Sequence, residues 1–336
     1  MTTIYQVAEL AGVSPATVSR VINGAAVSPA YRDKVVQAAE ALGFTPSRAA
    51  RNLRLRTSDV IALVIPDVEN PFFTSLARGV EDVAQAAGYS VVLCNSDEQQ
   101  IKQARYLDIA LSQNMAGVVL APAHGHVDIE AVLRRGTPLV AIDRSIPGAP
   151  TDTVLADDVA AGRVGAERMF ESGFERVACI SGPTDVETAR LRRDGWEAVF
   201  RARAPGLDPT DYLVHADYRV GGGAAGVTAL LDGPGAPRPA PDAFVVANNL
   251  MSIGAYRALL ERGTPPPEVG LAAFGSLPYA PLHGAGIVVL PMPSRQLGVQ
   301  AAAMLVERIR GASGPPRVVV VPNDAESPEV GVPVGL

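Results

Sequence analysis

The chain has 336 residues, roughly twice the common domain size, with 48% hydrophobic and 19% charged residues, so it can bury a sizeable core and is not a disordered polymer. Its longest apolar runs, such as Val60 to Ile65 and Val318 to Val321, fall far short of the ~20 residues a bilayer crossing takes, and residues 1–10 carry no export pattern; no membrane span and a cytoplasmic location are expected. The net charge of −6 excludes a generic polyanion binder but hides an asymmetry: residues 1–57 hold seven basic and three acidic side chains, a balance of +4 that leaves −10 for the remainder.

Thr3-Ile4-Tyr5-Gln6 fits a capping box and predicts a helix running to about Ala11, closed by Gly12. Ser14-Pro15 starts a second helix, in which Val18, Val21 and Ile22 share a face able to pack on Val7, Ala8 and Leu10. The opposite face is small, polar and basic. Ser28-Pro29 starts a third helix, with Val35, Val36, Ala39 and Leu42 at helical spacing before Gly43. Three short helices with a tight glycine turn between the first two describe a helix-turn-helix, whose second helix enters a DNA major groove.

The run AELAGVSPATVSRVING, followed by GFTPSRAARNLR, resembles the DNA-binding headpiece of the lactose-repressor/galactose-repressor (LacI) family, and the likeness continues along the chain. The resemblance implies that Pro15, Ala16 and Arg20 face base edges while Thr17, Ser19 and Asn23 contact phosphate. The chemistry favours Arg20 as the main reader, because a guanidinium grips guanine O6 and N7 bidentately whereas Pro15 and Ala16 offer apolar contact alone. The segment SRAARNLRLRT from Ser47 is about two helical turns long and should fray alone. In the family such a hinge helix, here about residues 47–55, folds on DNA and wedges a leucine into the minor groove. The matching residue is Leu53, with Ala49 and Ala50 at the helix-helix contact and Arg54 along the groove.

From Asp59 onward, apolar strands alternate with amphipathic stretches: VIALVI and a helix from Phe72 to Ala87; SVVLC and Gln99 to Gln113; GVVLAP and Asp128 to Arg135; PLVAID. A second series follows, from a helix around Ala160 to Ser172 through RVACIS, AFVVAN and VGLAAF to GIVVL, and the helix Ser294 to Arg310 and strand RVVVV are expected back in the first lobe. The predicted fold class is α/β: a headpiece over residues 1–57 plus the bilobal, periplasmic-binding-protein-like domain of the family over 58–336, with two parallel sheets. Its first lobe should span about 59–158 and 292–322, and its second about 159–291. Cys94 and Cys179 lie inside strands and are expected to be buried thiols.

Ligands in open α/β sheets bind beyond the carboxyl ends of strands, so a cleft between two lobes is the expected effector site. By resemblance Phe72 and Phe73 line it. Asp143 and Arg144 after PLVAI offer a carboxylate and a guanidinium. Thr188 and Arg192 lie in GPTDVETARLRRDGW, which resembles a family segment, and Tyr218 and Asn249 complete the set. The chain departs from the family at Asn248-Asn249, where an acid is common, and at Gly275. Those departures weaken the case for an ordinary sugar and raise that for an anionic metabolite or a decayed site. Catalysis and cofactors are not expected: GxxxxGK[ST], GxSxG and HExxH are all missing, GGGAAG at 221–226 reads as a turn opening a helix, and His124 and His126 read as a surface loop. A transport-type sugar-binding protein is the rival reading. The expected partners are double-stranded operator DNA, a small effector and a second copy of the chain.

Overall fold

The structure, a computed structural model, describes residues 2–22, 25–44, 58–125, 127–275 and 284–323. The chain divides into two units, Met1–Ser58 and Asp59–Leu336.

The first unit contains α1 (Ile4–Ala11), α2 (Pro15–Ile22) and α3 (Pro29–Ala41). The Gln6 side-chain oxygen accepts the Thr3 N–H at 2.9 Å, so the local sequence code that predicts the start of α1 is realised. Gly12 ends α1 at φ +63°, a backbone most side chains avoid. Val7, Ala8, Ala11, Val18, Val35 and Ala38 form the core where the three helices meet.

The second unit carries two parallel sheets. The first orders its strands β2 (Ser90–Asn95), β1 (Val60–Ile65), β3 (Gly117–Leu120), β4 (Leu139–Ile142), β5 (Asp152–Ala156) and β11 (Val318–Val321). It is flanked by α4 (Pro71–Ala86), α5 (Gln100–Ser112), α6 (Glu130–Arg135) and α11 (Ser294–Ile309). The second sheet orders β7 (Leu213–His215), β6 (Val177–Ser181), β8 (Ala243–Val246), β9 (Gly270–Phe274) and β10 (Ile287–Leu290), with α7 (Asp158–Glu171), α8 (Glu187–Arg203), α9 (Val220–Asp232) and α10 (Asn249–Glu261) packed on it. The chain leaves the first sheet after β5 and returns after β10. Trp196, Phe200, Tyr212 and Phe244 fill the second lobe's core, and the indole of Trp196 donates to the Val177 carbonyl at 2.8 Å.

One element departs from expectation. The strand β5 is not predicted by the alternation, because DTVLA begins with two polar residues and is only five long; it nonetheless sits between β4 and β11 and supplies the crossing to the second lobe. Its Asp152 is held by Arg308 at 2.8 and 2.9 Å and by the Arg317 backbone at 2.8 Å, which compensates a buried carboxylate. GGGAAG opens α9, as expected, and a Cβ at Gly223 would fall 1.9 Å from the Met251 carbonyl of α10. Those glycines let two helices touch through their backbones.

The same device sets the site. A Cβ at Gly162 on α7 would fall 2.0 Å from the Arg192 carbonyl, and one at Gly195 on α8 would fall 2.1 Å from the Val159 carbonyl. Reciprocal glycines thus draw α7 and α8 together and bring Arg192 onto Asp158.

Candidate functional site

On the headpiece, Val18 turns into the core, while Ala16 and Arg20, one helical turn apart, are both exposed on α2. Pro15, Thr17 and Ser19 are half-buried. The Ser14 hydroxyl accepts the Thr17 N–H at 3.2 Å and lies 2.9 Å from the Thr17 hydroxyl, which orders the start of the helix. Asn23, Ala49, Ala50, Leu53 and Arg54 lie outside the described residues.

A cleft between the two lobes of the second unit is built from segments that follow the strands: Asp67 to Phe73 after β1, Glu98 after β2, Asp143 and Arg144 after β4, Tyr218 and Arg219 after β7, Asn248 and Asn249 after β8, and Gly275 after β9. All eight cleft residues singled out in the sequence, Phe72, Phe73, Asp143, Arg144, Thr188, Arg192, Tyr218 and Asn249, line it. Phe73 also belongs to the first lobe's core and meets Phe72 edge-on at 5.0 Å. Among the described residues outside glycine, five have positive φ, and three of them, Glu98, Asp143 and Tyr218, line this cleft. Unfavourable backbone concentrates where the surrounding fold must hold side chains in set positions.

The guanidiniums are largely occupied. Arg144 donates to both oxygens of Glu98, at 3.0 and 2.8 Å, and to the Pro122 carbonyl at 2.9 Å; only its buried Nε has no hydrogen-bond partner, 3.5 Å from Asp143 Oδ2. Arg192 donates to Asp158 at 2.6 Å and to the Ala247 carbonyl at 2.7 Å, and stacks over the Phe274 ring at 4.9 Å. Burial opposes ionisation of Glu98, yet the bidentate Arg144 outweighs it and holds the carboxyl below its usual range. Burial wins at Asp143, which is pushed up to about 6, with Asp158 and Glu98 adding to the effect against Arg144 and Arg192. Burial also pushes the Tyr218 hydroxyl up to about 12, and this hydroxyl lies 3.3 Å from that of Thr188.

Several polar links span the cleft. Asn249 donates to the Asn70 side-chain oxygen at 3.0 Å, Arg219 reaches Asp67 at 3.4 Å and Asp97 at 3.3 Å, Glu187 accepts from the Ser145 backbone and hydroxyl at 2.5 and 3.0 Å, and His124 lies 3.0 Å from Asp185. The Asn70 oxygen also caps α4 through the Phe72 N–H. An acid at position 249 would have no hydrogen to donate, so the asparagine found there suits a cleft that closes on itself. His124 is an exposed loop residue, as expected, and from that loop it reaches Asp185 of the second lobe; His126 lies outside the described residues.

Residues 58–330 match the family described as periplasmic binding proteins and sugar binding domain of LacI family, and residues 3–47 match bacterial regulatory proteins of the lacI family. The chain belongs to the LacI family. It is a DNA-binding transcriptional regulator of that family, with a helix-turn-helix headpiece and a sugar-binding-type domain. The ribose operon repressor of Halalkalibacterium halodurans is 32% identical over 92% of this chain and 91% of its own length. A structure of the transcriptional regulator CelR in complex with cellobiose is 29% identical, covering 96% of this chain and 97% of that one, with a TM-score of 0.70. The Lac repressor dimer bound to operator and the anti-inducer ONPF shares the fold at 23% identity and a TM-score of 0.80, over 96% of each chain. No described helix is long and apolar enough to cross a membrane.

Sequence reasoning missed Glu98, Asp158, Asp67, Arg219 and Phe274. Glu98 follows β2 as Asp143 follows β4, so the same rule would have found it. Asp158 follows β5, and the failure to recognise that strand hid it.

Proposed function

We propose that this LacI-family regulator represses transcription as a homodimer on a pseudo-palindromic operator, and that a small, uncharged, polyhydroxylated effector in the interlobe cleft changes its operator affinity. Two linked half-site contacts reinforce one another and mirror the symmetry of such a site. In this reading Arg20, Pro15 and Ala16 read base edges, Thr17, Ser19 and Asn23 hold phosphates, and the hinge inserts Leu53 at the operator centre with Ala50 and Arg54 beside it. The protein works in the cytoplasm, binds duplex DNA and its own second copy, and needs no cofactor or catalytic step.

The observation that carries the effector reading is the set of polar links joining the lobes around Asp143, Arg192 and Tyr218. A ligand that replaces some of those links shifts the lobes relative to each other, which is the two-state element a switch requires. Charge selects the ligand class. The lining holds four carboxylates, Asp67, Glu98, Asp143 and Asp217, against three guanidiniums that already have acidic partners. An anionic ligand would have to displace an internal carboxylate, whereas hydroxyl groups can donate to Asp143 and accept from Arg192. The cellobiose complex of CelR and the ribose operon repressors agree with that class.

Fluorescence anisotropy with labelled promoter fragments tests the whole reading. Full-length protein should prefer one fragment over random duplex and lose or gain that preference with a neutral sugar. A chain lacking residues 1–57 should keep sugar binding and lose operator binding; undiminished DNA affinity in that shortened chain would refute the headpiece as the reader.

A further inference from the structure

Among the polar links across the cleft, one joins a histidine to a carboxylate. His124 stands after β3 in the first lobe, and its backbone is held from three directions. The buried Gln103 side chain accepts the neighbouring Ala123 N–H at 2.7 Å, Glu98 accepts the His124 N–H at 3.1 Å, and Gln100 donates to the His124 carbonyl at 3.0 Å. These bonds tie the histidine's backbone to the first lobe whatever its ring does.

The ring meets the other lobe. His124 Nδ1 lies 3.0 Å from Asp185 Oδ2, and Asp185 has no other side-chain partner among the described residues. Asp185 belongs to the turn between β6 and α8, where Val186 is buried and its N–H donates to the Pro183 carbonyl at 3.1 Å. The carboxylate therefore moves with α8, the helix that carries Thr188 and Arg192. The charged groups around the ring are Asp185, Glu187 and Arg190 from the second lobe and Glu98 and Arg144 from the first. Glu98 is held by two guanidinium nitrogens of Arg144, and Glu187 by the Ser145 N–H and hydroxyl. Asp185 is the carboxylate left to answer a charge on the ring.

We propose that His124 and Asp185 form a proton-operated latch between the lobes: the cleft closes more firmly when the imidazole is protonated and loosens as it gives up its proton. Histidine is the side chain whose charge ordinarily changes between pH 5 and 8. A proton on the ring turns a hydrogen bond from a neutral imidazole into an ion pair that exists in the closed form alone, so closure is favoured as pH falls and relaxed as it rises. The two side chains are 45% and 52% exposed, and a pair so open to water shifts the closed-to-open ratio by about two- to fivefold. Asp143, pushed up to about 6, titrates in the same range. It lies in the first lobe beside Arg144, so its proton neither makes nor breaks this link. That the latch reaches operator binding rests on the cleft being the switch.

Double electron–electron resonance between spin labels on Ala131→Cys in α6 and Ala202→Cys in α8 reads the separation of the lobes in the full-length protein, without any sugar. Both positions are exposed, whereas the native Cys94 and Cys179 are buried. Dilution with unlabelled protein keeps the measured distance within one chain. From about pH 5.5 to about pH 8 the closed-to-open ratio should fall about two- to fivefold. His124→Gln and Asp185→Asn, both at exposed positions, should each abolish that change, and Asp143→Asn should retain it. A ratio indifferent to pH in the unaltered protein, or a response that survives in both His124→Gln and Asp185→Asn, overturns the latch. A response lost in Asp143→Asn but kept in those two variants assigns the effect to the buried carboxyl and overturns it as well. Operator anisotropy at the same two pH values separates the readings: a latch that works while operator affinity ignores it counts against the cleft as the switch, not against the latch.

Discussion

At Asp143 a carboxylate sits where water cannot compensate it. Its side chain is 6% exposed, and the nearest cation, Arg144 Nε, stands 3.5 Å away without forming a hydrogen bond. With a folded pKa near 6 against 3.8 for the ordinary group, the folded state binds more protons than the unfolded state between those values. Stability therefore declines as pH rises through that window and stays reduced above about 6. Asp143→Asn should raise the melting temperature at about pH 7.5, by an amount equivalent to at most about 3 kcal/mol, and the gain should vanish near pH 4. An equal gain at both pH values would mean that the carboxyl is not a buried charge. Arg192→Ala acts differently, since it leaves Asp158 buried without its cation; a loss of about 3–5 kcal/mol should appear as a lower urea midpoint, together with lost effector binding. Asp143 was readable from the strand-then-loop pattern, and Arg192 from the resemblance of its segment to one in the family. The ion pairs of Arg144 and Arg192 were not, because Glu98 and Asp158 lie 46 and 34 residues away from the arginines they hold.

Helix pairing in the second lobe depends on glycines that act through absence. Gly195 lets α8 meet the Val159 carbonyl, and a methyl group there would have to push two backbones apart. Gly195→Ala should lower stability by about 1–3 kcal/mol and weaken effector binding, because α8 carries Thr188 and Arg192. Gly206→Ala is the matched control: its Cβ would meet nothing within 4 Å, so its urea midpoint should stay level or rise by the equivalent of up to about 1 kcal/mol. Equal losses in the two variants would contradict the close crossing. Helices were the most readable elements of the sequence, since caps and periodicity are local. The strand β5 escaped notice because its polar start is neutralised by Arg308 and Arg317, which arrive from the far end of the chain.

Along the whole sequence, a basic stretch over residues 1–57 precedes an acidic remainder, a charge division that favours phosphate at the first and disfavours it at the second. The edge strand β2 exposes Val92 and Leu93, and the neighbouring α5 exposes Ile101 and Ile109. A second copy of the chain covering this apolar edge would account for it. Leu93→Asp should shift sedimentation from dimer toward monomer and weaken operator binding by tenfold or more, about 1.4 kcal/mol, without altering sugar binding. A variant that remains dimeric would place the interface elsewhere.

The headpiece, the α/β alternation and the loops that line the cleft were legible one after another because each is written in short-range code: a cap, a period, a turn residue. The state of the cleft was not. Asn249 looked like a ligand contact missing its acid, yet it bonds Asn70 across 179 positions of sequence. Arg144 and Arg192 looked like open donors, yet carboxylates already hold them. Whether a polar side chain is free or engaged depends on what the fold gathers around it at a few ångströms, and that neighbourhood exists only once both lobes have folded.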